Sequence, residues 1–443
     1  MPDRKLRLAS FMFTPSGHLG AWRMPDAVPE IDMDLKHYVR LAKLSEQGKM
    51  DALFFQDIIA VPRSNDLAKG DLYGGISPRA TCLEPMTLLP ALAAVTDNIG
   101  LVSTASTTFN EPYNVARKFA TLDHISAGRA GWNLVTSQNE NEAQNFNLDQ
   151  HVDHAVRYER AGEFYDVVAG LWNSWEAGAV TRDKESGTYF DVKKLHMLNH
   201  KGKHFQVRGP LNVDRAPQGH PVVFQAGSSE PGRELAARTA DVVFTAQQSI
   251  AQAVQFRDDI RERAVRFGRQ PDDVKIMPGM TPIIGRSRQE AEELRHQMRE
   301  LIPEDQAITQ LMQLSGGLDL RTFPPHGPMP ELPPTNSAKA RQALLMEKAR
   351  REKLSLIEVA RILAESAGHL TLIGTASDIA DELEAWLQAG ACDGFAVIHT
   401  YYPRPVEDFV FEVIPQLQRR GIFRTEYEGR TLRENLGLRT PAL

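Results

Sequence analysis

Only two cysteines, Cys82 and Cys392, occur in 443 residues, so no disulfide framework organises the chain. No run of 18 apolar residues is present, which removes the usual signal of a membrane-spanning helix. The first seven residues are charged and hold no apolar stretch, so no secretory signal is expected and a cytoplasmic protein is the simplest reading. An excess of positive charge is missing too. The 51 Lys and Arg against 57 Asp and Glu leave a net −6, which argues against nucleic acid or an anionic membrane as the partner. Four catalytic signatures are absent: HExxH, paired CxxC, Gly-x-Ser-x-Gly and GxGxxG. Lacking the last, the chain shows no dinucleotide-binding fingerprint of its own.

What is present reads as an ordinary soluble protein, 42% apolar and 24% charged. Eight apolar runs read as buried strands, at 6–13, 52–55, 99–105, 132–135, 222–226, 242–245, 275–284 and 394–398. Helical spacing follows most of them, for example Leu35, Tyr38, Val39 and Ala42 after the first, and Phe164, Val167, Val168 and Leu171 after the fourth. Alternating strands and helices call for a parallel sheet, and eight strands is the number that closes into a (β/α)8 TIM barrel. An open doubly wound sheet fits the same count. The expected organisation is one domain over 1–443 with insertions after strands four and seven, at about 176–219 and 286–374. The second insertion carries six prolines between Pro324 and Pro334, which excludes a regular helix there. It reads equally as a lid or as a surface excursion. After it, Thr375 and Asp378 have the spacing of a capping box.

In a barrel, side chains at the C-terminal ends of the strands converge on one mouth. Those positions hold Asp57 on strand two, Ser103, Thr104 and Ser106 on strand three, Asn133, Thr136 and Ser137 on strand four, and Gln225, Ser228 and Ser229 on strand five. Strand eight leads into His399 and Tyr401, and strand one into Ser16, His18 and Trp22. Hydroxyls and amides outnumber charges, which suits a large hydrogen-bonding ligand better than a hydrolytic carboxylate pair. The segment 136–150 is polar throughout, with four Asn and three Gln between a strand and a helix, where α/β enzymes place their sites. In 226–235, AGSSEPGREL, a helix starts near Pro231, and its free N–H groups with two serine hydroxyls make a phosphate site or, more commonly, a plain N-cap. His154, Arg157 and Tyr158 fall at i, i+3 and i+4, on one face if the helix starts early enough; by spacing alone a solvated face is the commoner meaning. His196, His200 and His204 are spaced for one helical face, but Gly202 interrupts, the segment looks like a hairpin and no Cys or carboxylate cluster joins them, so loop histidines and no metal site are expected.

The strings SAGRAGWNLVTS at 126–137, NFN at 145–147, QHxxHxxRYxRAxEF at 150–164 and LWNSW at 171–175 carry a family resemblance. So do LASFMF at 8–13 and FRTEYEGRTLRENLGLR at 423–439. Together they resemble the bacterial-luciferase-like flavin-dependent monooxygenases of the nitrilotriacetate and dibenzothiophene-sulfone monooxygenase family, over nearly the whole chain. The resemblance implies the barrel and the oxygenase component of a two-component system. Such an enzyme uses O2 and reduced FMN (FMNH2), supplied by a transient NAD(P)H:flavin reductase partner, to oxidise a small organic substrate. A C–N or C–S bond is cleaved or a carbon hydroxylated. Family members are dimers or tetramers. The matching positions imply that His154, Tyr158 and Ser229 bind the flavin phosphate and that Asp57 and Thr104 contact the ring and ribityl chain. Ser228 falls where members vary, and Thr136 and Ser137 join the cofactor candidates from the end of strand four. His18, Trp22 and His399 are candidates for the substrate side, from position only. Two other readings stay open: a deazaflavin-dependent oxidoreductase on the same barrel, and a non-catalytic flavin-binding protein.

Overall fold

A computed structural model describes residues 4–61, 78, 80–335 and 339–441. Among them nine parallel strands form the main sheet: β1 Arg7–Met12, β2 Ala52–Phe55, β3 Gly100–Ser106, β4 Ala130–Val135, β5 Val222–Gln225, β6 Val242–Thr245, β7 Lys275–Ile284, β8 Leu370–Gly374 and β9 Gly394–Ile398. Eight close into a ring in the order β1-β2-β3-β4-β5-β6-β7-β9, with β9 returning to β1 (Phe11 opposite Ile398) and β6 to β7 (Thr245 opposite Pro278). The barrel is therefore closed, and the open-sheet alternative falls away. The ninth strand, β8, was not among the runs read from the sequence. The reason is geometric: β7 outruns β6, and its free second half pairs with β8 from Met280 opposite Leu370 to Ile284 opposite Gly374.

The covering helices are α1 Leu35–Gln47, α2 Pro85–Ala93, α3 Pro112–Ile125, α4 His154–Trp172, α5 Glu230–Thr239, α6 Ile250–Arg266, α7 Arg288–Glu300, α8 Glu304–Leu311, α9 Lys339–Glu352, α10 Leu356–Ser366 and α11 Ala376–Gln388. Side chains fix several starts. Asp153 caps α4, Ser229 caps α5, and the box of Thr375 and Asp378 caps α11. The segment 286–374 is more than an irregular excursion, since it contributes α7 to α10 and β8. Its proline-rich stretch is a 3-10 turn at Leu320–Thr322 followed by irregular chain to Thr335; Asn336, the end of that stretch, lies outside the described residues. The insertion 176–219 holds a 3-10 turn at Val192–Lys194 and a two-residue antiparallel ladder, His200–Lys201 with Gln206–Val207.

Side-chain alternation along the strands builds the core. Ala9 and Phe11, Ala52 and Phe54, Val222 and Phe224, Val242 and Phe244, and Ala396 and Ile398 form one buried cluster in the bore. Phe11 stacks on Phe244 with ring centres 4.9 Å apart and meets Phe54 at 4.6 Å, so the bore is filled solid. The intervening residues, such as Leu8, Leu53, Phe395 and Val397, belong to the cluster under the helices. At the N-terminal end of the strands the chain terminus plugs the barrel. Leu432, Leu436 and Leu438 join the bore cluster, and buried ion pairs fasten them: Arg424 to Asp51 at 2.6 Å and Arg433 to Asp241 at 2.8 Å. Only the C-terminal end is left to hold a ligand.

Candidate active site

At that end a cavity of about 610 Å3 opens, the size of a cofactor site. Its floor is the aromatic top of the bore, Phe11, Phe13, Phe54 and Phe244. Its walls contain all eight residues expected on the cofactor side: Asp57, Thr104, Thr136, Ser137, His154, Tyr158, Ser228 and Ser229.

The strands position the first group. Asn133 points inward from β4, opposite in sense to its buried neighbours Trp132 and Leu134, which pack under α3 and α4. Its amide donates to Thr104 Oγ1 at 2.8 Å, and Thr104 in turn donates to the Phe55 carbonyl at 2.7 Å. That leaves Asn133 Oδ1 buried without a partner in the cavity wall, a position that asks for a ligand N–H or O–H. Ser137 has a positive φ of 56°, a conformation most residues avoid. It is held there from both sides: its hydroxyl donates to Ser106 Oγ at 2.9 Å and its carbonyl accepts from Arg157 Nη1 at 2.6 Å. Strain kept at a cavity wall by neighbours is typical of a binding site.

The second group sits on two helix starts. Because Asp153 is the cap, α4 begins at His154, early enough for His154, Arg157 and Tyr158 to lie in one wall. The His154 and Tyr158 rings are 4.9 Å apart. Burial, then the positive charges of Lys339 and Arg157, lower the His154 pKa. The Tyr158 hydroxyl makes no hydrogen bond to any described residue. Opposite, Ser229 Oγ accepts from Gly232 N at 3.3 Å and Ser228 Oγ lies 3.2 Å from Thr245 Oγ1. Gly227 is required by close approach, since a Cβ there would come within 2.8 Å of Gly232 Cα. An α-helix N-terminus, two hydroxyls, a phenol, an imidazole and a guanidinium thus belong to the walls of one cavity. This donor set suits a phosphate.

The polar segment between β4 and α4 closes the side. Asn141 donates to the Val61 carbonyl at 2.6 Å and Asn145 to the Ile59 carbonyl at 3.1 Å, which ties this loop to the one after β2. Asp57 and Glu142 are the carboxyl groups in this wall. Burial, reinforced by the negative charges of Glu84 and Glu142, pushes the Asp57 carboxyl up to about 7. Burial also raises Glu142.

His18, Trp22 and His399 do not line the cavity, which corrects the expectation drawn from their positions. His399 is fully buried. It follows the outward residues Phe395 and Val397 in register, and its Nε2 meets Ser10 Oγ at 3.0 Å beside Tyr402 and Phe409, on the helix side of the barrel. Burial there drives its pKa down to about 3, so it is a neutral structural group. His18 is buried and accepts from Gly20 N at 3.1 Å through Nδ1; Trp22 lies on the short turn Ala21–Arg23. The three insertion histidines meet carboxylates instead of one another: His196 with Glu176 at 2.7 Å, His200 with Glu163 at 3.0 Å and His204 with Glu159 at 3.2 Å. Sequence reading missed the wall supplied by the second insertion: Gln306, Gln310 and Gln313 around α8, Lys339 and Arg341 on α9, and His369 before β8. The glutamines fall at helical spacing, a signal present in the sequence, whereas nothing local distinguishes Arg341.

A family model described as luciferase-like monooxygenase matches residues 10–393. The nitrilotriacetate monooxygenase component A of Aminobacter aminovorans is 47% identical over 97% of this chain and 96% of its own. The N-acetyl-S-(2-succino)cysteine monooxygenase of Bacillus subtilis (strain 168) is 44% identical over 99% of this chain and 98% of its own. Among solved structures, a riboflavin lyase with modified FMN and its substrate riboflavin superposes with a TM-score of 0.88 at 32% identity, covering 99% of this chain and 97% of that one. The chain, an oxidoreductase with its site at the mouth of a closed barrel, belongs to the luciferase-like monooxygenase family.

Proposed function

We propose that the protein is the oxygenase component of a two-component monooxygenase. It binds reduced FMN made by a separate NAD(P)H:flavin reductase and oxidises a small organic substrate with O2, breaking a C–N or C–S bond or hydroxylating carbon. The observation that carries this is the convergence of a phosphate-shaped donor set and an unsatisfied buried amide oxygen, Asn133 Oδ1, on one cavity with an aromatic floor. Two relatives covering nearly the whole chain are named as monooxygenases, and a structural neighbour holds a modified FMN.

The reduced flavin supplies the electrons that activate O2. This chain's residues do the rest. Tyr158, Ser229, His154 and Arg157 hold the phosphate at the α4 and α5 helix starts. Asn133 and Thr104 hydrogen-bond the ribityl chain or ring edge, and Asp57 meets the ring. With its pKa near 7, Asp57 gives or takes a proton there at neutral pH. The phenylalanine floor and the walls of the second insertion keep water from the reacting face. The chain 1–443 acts as one domain, and copies of it associate as dimers or tetramers.

Purified protein is expected to bind FMN anaerobically in its reduced form and to leave NADH unconsumed until a flavin reductase is added. Steady NADH oxidation by the isolated chain would overturn the two-component reading. Size-exclusion chromatography with light scattering reports the oligomer.

A further inference from the structure

The cavity has a side to which the flavin reading assigns only the exclusion of water. It is built by the second insertion, from α8, α9 and the turn into β8. On α9, Lys339 and Arg341 both reach the wall, but residues two apart on a helix point in different directions. Lys339 stands near His154, where its charge opposes protonation of that ring. Arg341 runs the other way, beside Gly368: a Cβ built on Gly368 would lie 3.8 Å from Arg341 Cγ and Cδ. Next to Gly368, His369 lies 5.0 Å from Phe244 of the cavity floor, measured between ring centres. The stem of Arg341 therefore runs beside the turn that sets His369 against the aromatic floor.

Arg341 has no hydrogen bond or ion pair with any described residue. Burial alone lowers its pKa, with no carboxylate acting on it. The wall's acids, Asp57 and Glu142, lie on the β2 and β4 side. A half-buried guanidinium with no protein anion, set in the wall of a cavity, is open to an anionic group of a ligand. The placement is not accidental, because α9 is packed and tied. Leu345 and Ala349 sit in the cluster with Leu311 and Leu314, and Gln342 Nε2 donates to the Leu314 carbonyl at 2.7 Å and the Pro333 carbonyl at 2.9 Å. Across the insertion wall, Gln310 Oε1 is buried with no partner, and a flip of that amide presents its N–H there instead. Gln306, one turn earlier, lines the same wall.

We propose that Arg341, with the amide of Gln310, receives a carboxylate of the substrate, so that the compound oxidised is a small organic acid. A guanidinium fork matches the two carboxylate oxygens. The word "substrate" rests on the monooxygenase reading; the anion site itself does not.

The test is calorimetric titration of the flavin-free protein, with two acids and their methyl esters as probes: S-carboxymethyl-N-acetylcysteine and N-methyliminodiacetate, each against its dimethyl ester. FMN and riboflavin are titrated in parallel. Acids are expected to bind saturably and esters much more weakly. Arg341→Gln should weaken the acids by roughly tenfold to a hundredfold, the loss of a charged hydrogen bond. Arg341→Lys keeps the charge and should recover part of that loss, which separates recognition from misfolding. FMN and riboflavin affinities should not change in either variant. Acids that do not bind the wild type, or bind no better than esters, overturn the proposal. A loss of FMN affinity with riboflavin unchanged in Arg341→Gln also overturns it, since it assigns the guanidinium to the flavin phosphate. Failure of the wild type to bind FMN would instead count against the flavin reading, while the acid titration still decides the anion site.

Discussion

Tyr158→Phe isolates one atom of the phosphate site. The Tyr158 ring packs on the cluster around Trp132 and Phe164 and stands 4.9 Å from His154. Phenylalanine preserves those contacts. The hydroxyl lines the cavity and makes no hydrogen bond to a described residue, so removing it leaves no protein group unpaired and should leave the free protein's stability unchanged. If that hydroxyl donates to the flavin phosphate, the variant loses one hydrogen bond to a charged acceptor, worth about 1.5–3 kcal/mol. FMN affinity should then fall roughly tenfold to a hundredfold. Riboflavin has the same ring and ribityl chain but no phosphate, so its affinity should be unaltered. Fluorescence titration of both ligands against wild type and variant gives the ratio directly. Ser229→Ala is the informative contrast, because Ser229 Oγ also caps α5 through Gly232 N. That variant should show the same selective loss of FMN together with a stability decrease of about 1 kcal/mol from the lost cap. An FMN-to-riboflavin ratio unchanged in both variants would remove the phosphate assignment and with it the orientation of the cofactor.

Asp57→Asn tests the raised carboxyl by pH. With its pKa lifted from 3.8 to about 7, the folded protein holds a proton that the unfolded chain releases between those values, so the wild type loses stability as pH rises through that window. The variant has no such loss, and its melting temperature relative to wild type should climb from pH 4 to 7 and then level off; a flat difference refutes it. Arg424→Met removes the cation from Asp51, whose other oxygen accepts from Leu8 N at 2.7 Å, and should cost about 3–5 kcal/mol in urea unfolding, with no change if the pair is dispensable. The segment 321–335 should show slower hydrogen exchange with FMN bound than without, if the insertion closes over the cavity; equal protection argues for a plain surface excursion.

The barrel was legible because its strands are buried on both faces and so read as unbroken apolar runs. All eight runs start and end within two residues of the observed strand, and 275–284 matches at full length, ten residues that no ordinary barrel strand needs. That excess length was the clue to β8. A strand that outruns its neighbour leaves a free edge, and 370–374, LTLIG, follows in the same insertion. The run does not stand out as a barrel strand because β8 is an added edge, half-buried for most of its length. The plug formed by 432–438 was not legible either. Its leucines are ordinary in sequence, and only the closed ring supplies the bore they fill.

For the site, strand ends identified the mouth but not the direction in which each side chain points. Direction comes from the two-residue period. Thr104 is in register with inward Val102, and Asn133 alternates with outward Trp132 and Leu134. Both reach the cavity. His399 is in register with outward Phe395 and Val397, so by the same rule it belongs under the helices, where it meets Ser10, itself in step with outward Leu8 and Met12. The rule was available in the sequence and would have removed His399 from the substrate side. It has no purchase on Arg341 or Gln310. These sit on helices of an insertion whose distance from the barrel mouth is set by packing among Leu311, Leu314, Leu345 and Leu363, contacts between segments about 30 to 50 residues apart. The cofactor half of the cavity is thus written in strands, whose geometry a sequence discloses. The insertion half is set by tertiary packing between distant segments, which the local sequence pattern does not disclose.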